Sequence, residues 1–317
     1  MILVTGSNGF VGKALCNTLR AGGASVRGTV RKGADEGNGE VNVGDLNGST
    51  DWRHALEGCD VVFHLAARVH VMADKDDNPL RAYREVNLDG TLNLAKQAIQ
   101  AGVRRFVFVS SVKVNGESTT TQLFNGADVP MPCDPYGQSK MEAEQALQEL
   151  GRKSGLEVVI IRPPLVYGPG VKANFLNLIK LVHMGTPLPF GAIDNLRSMV
   201  ALANLVDLLI VCSKHLKAPG NIFMVSDGAD IGIKELVTKI AKAMDKRLLL
   251  IPVPTGWMMA IAKLLGKQGM VDRLLGSLRV DIENTQATLE WTPVVTSQAA
   301  INETVEQFFL VNARKKK

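Results

Sequence analysis

Ile2-Leu3-Val4-Thr5-Gly6-Ser7-Asn8-Gly9-Phe10-Val11-Gly12-Lys13-Ala14-Leu15-Cys16 is the stretch whose reading decides the fold. Ile2 to Val4 is a short apolar run of strand character, Thr5 to Gly12 is a glycine turn, and Lys13 to Leu19 continues with helical periodicity. Strand, glycine turn and helix in that order are the context a dinucleotide loop requires. Gly6 permits the tight turn. Gly9 lets backbone approach a pyrophosphate, and Gly12 lets the helix sit close on the strand with its N-terminus facing the anion. The spacing is G-x-x-G-x-x-G rather than G-x-G-x-x-G.

Outward from this turn, strands and helices alternate. Ser25 to Val30 reads as a second strand and ends in Arg31-Lys32. An Asp or Glu at this strand end would accept hydrogen bonds from an adenine ribose, whereas a 2′-phosphate calls for a cation. The acid is missing, so Arg31, with Lys32 or Arg27 as helper, predicts NADP (NADPH) in preference to NAD. Asp45-Leu46 follows a third short strand and suits adenine contacts, although Asp is also a common turn former. Asp60 to Ala67 reads as a buried fourth strand ending in the small-residue stretch Leu65-Ala66-Ala67. Glu85 to Ala98 has the pattern of a long amphipathic helix. Asn87 shares its sheet-facing stripe with Thr91 and Leu94; a buried Asn needs partners, so it either anchors a neighbouring loop or orders a water. Arg105 to Ser111 is a fifth strand that delivers two hydroxyls at its carboxyl end, and Leu156 to Pro164 is a sixth. The alternation predicts an α/β fold with a parallel, doubly wound sheet.

The chemistry concentrates at Tyr136-Gly-Gln-Ser-Lys140. If a helix starts near Tyr136, Lys140 lies one turn further on the same face, and hydroxyl and ammonium converge on one ligand. A nearby cation favours the phenolate and lowers its pKa from about 10 toward the range useful for general acid–base work. Ser111 precedes Tyr136 by a turn-rich segment, Asn115 to Pro135, able to fold over a substrate. His64, in a buried strand, and His70, in an exposed loop, read as a satisfied core residue and a surface residue rather than a metal pair.

Beyond Tyr167-Gly-Pro-Gly170 the pattern becomes mixed. Asn174-Phe175 opens a helix, Pro187 to Gly191 is a loop, Ile222 to Val225 and Leu248 to Ile251 read as strands, and Ile233 to Met244, Asn284 to Trp291 and Ser297 to Phe309 as helices. The division expected is a dinucleotide-binding part over 1–166, with 198–226 packing back onto it, and a smaller lobe over 167–197 and 227–317. The cleft between them is the expected ligand site.

The remaining features bound the function. The chain has 317 residues, enough for a large core, with 46% hydrophobic and 21% charged residues, ordinary for a globular enzyme. The net charge of +5 is mild, partly terminal Arg314-Lys-Lys-Lys, and too scattered for nucleic acid. Cys16, Cys59, Cys133 and Cys212 lack paired metal spacing and read as reduced thiols of a cytoplasmic protein; no metal is expected. There is no signal-peptide pattern and no apolar run of the roughly 18 residues a membrane span needs. The amphipathic Trp257 to Leu265 stretch reads as a packed helix rather than a membrane contact.

Gly6, Gly9 and Gly12, the Leu65-Ala66-Ala67 strand end, Asn87, Ser111 and the Tyr136/Lys140 pair together resemble the extended short-chain dehydrogenase/reductases, which include nucleotide-sugar epimerases, dehydratases and reductases. The resemblance spans nearly the whole chain and implies a Rossmann sheet with a catalytic tetrad of Asn87, Ser111, Tyr136 and Lys140. It also implies cofactor contacts from Gly6, Ser7, Asn8, Gly9, Phe10, Val11, Gly12, Leu65, Ala66, Ala67, Tyr136, Lys140, Pro163 and Val166. The second lobe is similar to the sugar-nucleotide lobe of UDP-glucose 4-epimerase relatives, which places Asn174, Arg197 and Arg273 against a uridine diphosphate, with Ser111 and Lys113 nearer the sugar. A homodimer through the helices over 87–100 and 136–150 is likewise implied only by resemblance.

Within that family the segment Ser110-Ser-Val-Lys-Val-Asn-Gly-Glu117 is similar to the C4-reductases that act on UDP-4-keto-6-deoxy-N-acetylhexosamines in surface-polysaccharide biosynthesis. Epimerases tend to have Thr at the Lys113 position and Tyr at the Asn115 position. Together with Arg31 this makes NADPH-dependent reduction of the sugar C4 ketone the first expectation. A UDP-hexose or UDP-N-acetylhexosamine 4-epimerase with tightly bound NAD is the alternative. A dehydratase would carry an Asp-Glu pair where Val112-Lys113 stands. A non-catalytic dinucleotide-binding scaffold would usually have lost Tyr136 or Lys140.

Overall fold

The computed structural model describes residues 1–69, 78–264, 266 and 268–314, with the side chains of residues 36, 261, 262, 268, 270, 273 and 314 outside the description. The first strand β1 (Ile2–Thr5) leads through the glycine turn into α1 (Phe10–Ala21), then β2 (Val26–Val30), β3 (Glu40–Asn42), the short α2 (Arg53–Leu56) and β4 (Val61–His64). A helical run follows: α3 (Pro79–Arg84), a π turn over Glu85–Asp89, and α4 (Gly90–Gln100). Then come β5 (Arg105–Val109), α5 (Pro135–Ser154), β6 (Glu157–Arg162), β7 (Leu165–Tyr167), α6 (Ala173–Met184), β8 (Met199–Ala201), α7 (Leu202–Lys214) and β9 (Ile222–Met224). The helices α8 (Ile233–Ala243), α9 (Thr255–Leu264), α10 (Gln268–Leu275), α11 (Glu283–Leu289) and α12 (Ser297–Arg314) complete the described chain.

The described residues form a seven-stranded sheet in the order β3-β2-β1-β4-β5-β6-β9, parallel throughout. The order reverses between β1 and β4. Ligands of such sheets bind outside the strands' carboxyl ends at this switch point, which places the glycine turn after β1 beside the small residues after β4. The central strands are buried along their length because helices cover both faces. One apolar layer joins α1 and α7 to the sheet through Leu15, Leu19, Leu205 and Leu209; another joins α4 and α5 through Leu94, Ala98, Ala143 and Leu147.

Around α6, α8 and α12 lies a separate cluster including Phe175, Ile179, Val237, Ile240 and Ile301. A two-stranded β7–β8 sheet, unforeseen in the sequence, ties it to the first sheet. Asp227, just past β9, accepts from the Tyr167 hydroxyl at 2.6 Å, the Ala201 amide at 2.7 Å and the Asn204 amide group at 2.7 Å. The strand expected over Leu248–Ile251 reduces to a single bridge between Leu188 and Leu250. Leu248 and Leu250 face the second cluster while Leu249 and Ile251 are exposed, so the run alternates as a strand would but has a single bridging partner. No helix among the described residues is long and apolar enough to cross a membrane.

Candidate functional site

The glycine turn is built by close approach. Gly6 has a φ of +65°, open to glycine at little cost, and a Cβ at Gly12 would stand 2.1 Å from the Gly6 carbonyl oxygen. α1 begins at Gly9 with no side-chain cap and no acidic residue in its first turn, so its amides are left for an anion. Ser7 turns away, its hydroxyl directed to the Thr29 carbonyl and the Glu40 carboxylate. Phe10 and Val11 pack on the core while Asn8 is exposed.

At the strand ends, Thr5 and His64 form one buried unit. The Thr5 hydroxyl oxygen accepts the Leu65 and Ala66 amides at 3.1 Å each, so its proton goes to His64 Nδ1 at 2.8 Å. His64 Nε2–H then donates to the Thr91 hydroxyl at 2.9 Å. Burial, with the Lys140 charge nearby, holds the imidazole at about 3 and therefore neutral. It is a core histidine that shapes the Leu65-Ala66-Ala67 turn. His70 lies outside the described residues.

Asn87 sits in the π turn between α3 and α4, a local widening that recurs at functional sites. Its side chain accepts the Arg68 amide at 2.8 Å and donates to the Arg68 carbonyl and the Ser139 hydroxyl at 3.0 Å each. Of the two roles open in the sequence, this geometry is the loop anchor, and it fixes the chain after β4 against α5.

α5 starts with Asp134 as its cap, which accepts the Gly137 amide at 2.6 Å, followed by Pro135 at the first position. Tyr136 is therefore in the first turn and half-buried, with the Ser111 hydroxyl beyond the end of β5 favouring its ionised form. Burial, reinforced by the Asp134 charge, pushes the phenol up to about 12. Lys140 is buried one turn on and donates to the Val109 carbonyl at 2.8 Å. Burial brings its ammonium down to about 7, opposed by Glu144. The direct lowering of the phenol by the lysine expected from the sequence is thus absent here: the ammonium points to the backbone, and desolvation dominates both groups.

Other expected residues divide clearly. Arg31 and Lys32 are exposed at the end of β2, and among the described residues neither has a hydrogen-bond or ion-pair partner. Arg27 is not a helper: its guanidinium donates to the carbonyls of His54, Ala55 and Glu57, capping α2 from the other end of the strand. Leu46 is core, leaving Asp45 exposed. Pro163 accepts the Val112 amide at 3.0 Å, and Val166 is half-buried against the core. Lys113, expected at the sugar, is held by two carboxylates, Asp134 at 2.5 Å and Glu117 at 2.6 Å. Arg197 is half-buried and donates to the Gly276 carbonyl at 2.9 Å; Asn174 is exposed in the first turn of α6. The Arg273 side chain lies outside the described residues.

The sequence reading passed over the buried ion pair of Arg162 with Glu144, closest at 2.5 Å, and its link to Asn115 at 3.1 Å. A Glu one turn beyond Lys140 and an Arg closing an otherwise apolar strand were the available signals. Ser110, one of the two hydroxyls delivered by β5, is buried just past the strand end with its side chain lacking a hydrogen-bond partner among the described residues. An orphaned hydroxyl there, an uncapped helix start and a turn closed to any Cβ fit a bound dinucleotide. Among the described residues no His, Cys, Asp and Glu group is placed to hold a metal ion.

The parallel sheet, the glycine turn at its switch point and the serine, tyrosine and lysine grouped beyond β5 define the short-chain dehydrogenase/reductase type of fold. The chain belongs to the NAD dependent epimerase/dehydratase family, whose model matches residues 2–226. It is 49% identical over 317 residues to a UDP-glucose 4-epimerase of Vibrio cholerae, covering 99% of this chain and 97% of that protein. It is 29% identical to an N-acetyl-alpha-D-glucosaminyl-diphospho-ditrans,octacis-undecaprenol 4-epimerase of Escherichia coli O157:H7, over 80% of this chain and 76% of the relative. The structure of MoeE5 in complex with UDP-glucose and NAD shares the fold, with a TM-score of 0.77 at 24% identity over 98% of this chain and 99% of that one.

Proposed function

We propose that this chain is a UDP-sugar 4-epimerase that works with a retained NAD. The observation that carries this reading is the placing of Ser111 just beyond β5 and of Tyr136 and Lys140 one turn apart at the start of α5, in a chain 49% identical over 99% of its length to a relative named for that reaction. The reductase reading placed first by the sequence finds less support, since both named bacterial relatives are 4-epimerases. The uncommitted Arg31 at the end of β2 is the observation that favours it.

The backbone from Gly6 to Gly12 would hold the cofactor's pyrophosphate, Leu65 to Ala67 would line its passage, and Lys140 would hold the nicotinamide ribose. Bound NAD would supply hydride acceptance from sugar carbon 4 and return to the other face. The protein's share is proton handling and orientation. Ser111 donates to the carbon-4 oxygen and fixes it beside the phenol. Tyr136 takes the proton from that oxygen and gives it back. The phenolate this requires is disfavoured by burial and by the Asp134 charge but favoured by its place at the positive end of α5 and by the Ser111 hydroxyl nearby. Asn87 keeps the loop after β4 packed against the helix that carries Tyr136.

The test is turnover without reductant. Protein incubated with UDP-glucose or UDP-N-acetylglucosamine alone is expected to yield the carbon-4 epimer. If product forms only when NADPH and a 4-keto-6-deoxy UDP-sugar are supplied, the reductase reading replaces this one.

A further inference from the structure

Lys140 is a buried cation, 2% exposed, in a layer built of apolar side chains. Along β5, Phe106 and Phe108 alternate with Val107 and Val109, and the pleat turns the two rings to one side of the sheet, where they join Ala143 and Leu147 of α5. Phe108 is fully buried there. Lys140 precedes Ala143 by three residues and Leu147 by seven, so it shares their stripe of the helix and its side chain enters the same layer. Its Nζ stands 4.3 Å over the centre of the Phe108 ring and donates to the Val109 carbonyl at 2.8 Å. Among the described residues that carbonyl is its one hydrogen-bond acceptor.

The titratable and charged groups that face the ammonium are His64 from β4, Tyr136 and Glu144 from α5 and, through Glu144, Arg162 from β6. His64 pairs with Phe108 in the strand register, with ring centres 5.8 Å and ring planes 20° apart, and the Thr5 proton on Nδ1 keeps its imidazole neutral. Tyr136 is a neutral phenol, pushed up to about 12. Glu144 favours the ammonium, but Arg162 binds both of its oxygens, at 3.0 and 2.5 Å, so its field arrives from an ion pair rather than a bare carboxylate. What stands against the charge directly is the negative face of the Phe108 ring. We propose that Phe108 is a positioning residue whose ring face, with the Val109 carbonyl, forms a seat that favours the charged form of Lys140 and fixes where its ammonium stands. This rests on the ribose-holding role given to Lys140 above. A desolvated cation gains most from an aromatic face, because little water competes for it. A neutral amine in the same place would lose the charge-assisted donors offered to a ribose hydroxyl.

Fluorine withdraws negative charge from the face of a phenyl ring and adds little bulk. The test replaces Phe108 in turn by 4-fluoro-, 3,5-difluoro- and 3,4,5-trifluorophenylalanine and follows urea unfolding from roughly pH 6 to pH 9. Lys140 titrates at about 7 in the folded chain against an ordinary 10.5. Between those values the unfolded chain binds a proton that the folded chain does not, so stability rises with pH, and the foot of the rise marks the Lys140 midpoint. Lys140→Met is expected to remove the rise. The foot is expected to move to lower pH with each added fluorine, by about one pH unit at the third, and Phe108→Leu to move it as far. A ring that only fills space would change stability evenly and leave the foot in place, and that result overturns the proposal. So does a rise that survives Lys140→Met. Fluorescence titration of NAD at neutral pH is expected to show affinity falling in step with the fluorine count, about tenfold at the third. A moved foot with unchanged NAD affinity sustains the seat and overturns instead the ribose role of Lys140.

Discussion

Lys140 and Tyr136 stand one turn apart on α5 yet face different partners: the ammonium donates to the Val109 carbonyl at 2.8 Å, and the phenol ring stands edge-on to Tyr83 with ring centres 6.1 Å apart. Lys140 also lies 4.3 Å from the centre of the Phe108 ring. Both Lys140 contacts fall at the carboxyl end of β5, so this strand end orients the ammonium.

Tyr136→Phe keeps the ring contact with Tyr83 and removes only the hydroxyl. Turnover is expected to fall by roughly 10² to 10⁴-fold, with dinucleotide affinity nearly unchanged. Steady-state turnover paired with a fluorescence titration of NAD checks this. Retained turnover would remove Tyr136 from the chemistry.

His64 makes the fold sensitive to acid. It titrates at about 3 in the folded chain against an ordinary 6.5, so between those values the unfolded chain binds a proton that the folded chain does not. Stability therefore rises with pH across this window, by about 1.4 kcal/mol per unit from this one group. Urea unfolding at several pH values is expected to show that slope, and His64→Gln to flatten it. An equal slope in the variant would assign the acid sensitivity elsewhere.

The parts of this arrangement that were legible in sequence are those whose signals are local. The glycine spacing before α1, the small residues after β4 and the Tyr136/Lys140 interval each depend on a few consecutive residues and a known helical pitch. Partners fixed by tertiary packing were not legible. Arg27 could be imagined at a phosphate because nothing local shows that α2 ends against it, and Lys113 at a sugar because Asp134 arrives only when α5 docks. Asn87 has two roles open in sequence for the same reason: the Arg68 backbone and Ser139 are separated from it in the chain and meet it only in the fold. The strand expected over Leu248–Ile251 failed because an apolar run needs a neighbour to pair with, and Leu188 offers one bridge.

Arg31→Ala is expected to weaken NADP binding by about tenfold or more and to leave NAD binding nearly unchanged, the loss of one charge-assisted phosphate contact. Parallel calorimetric titrations with the two dinucleotides check this. Equal effects on both would show that Arg31 does not meet a 2′-phosphate.

Glu144→Ala leaves the buried Arg162 guanidinium without its carboxylate and removes the charge that supports the Lys140 ammonium. Breaking such a pair is expected to cost about 3 to 5 kcal/mol in urea unfolding. A loss below about 1 kcal/mol would mean that water or another group takes over the guanidinium.

The central claim is that Tyr136 serves a carbon-4 oxidation and reduction on a single retained dinucleotide. A UDP-sugar deuterated at carbon 4, turned over in the presence of excess unlabelled NADH, tests it most directly. The label is expected to remain at carbon 4 of the epimerised product. Its loss to the added dinucleotide, or the absence of any epimer, would contradict the account.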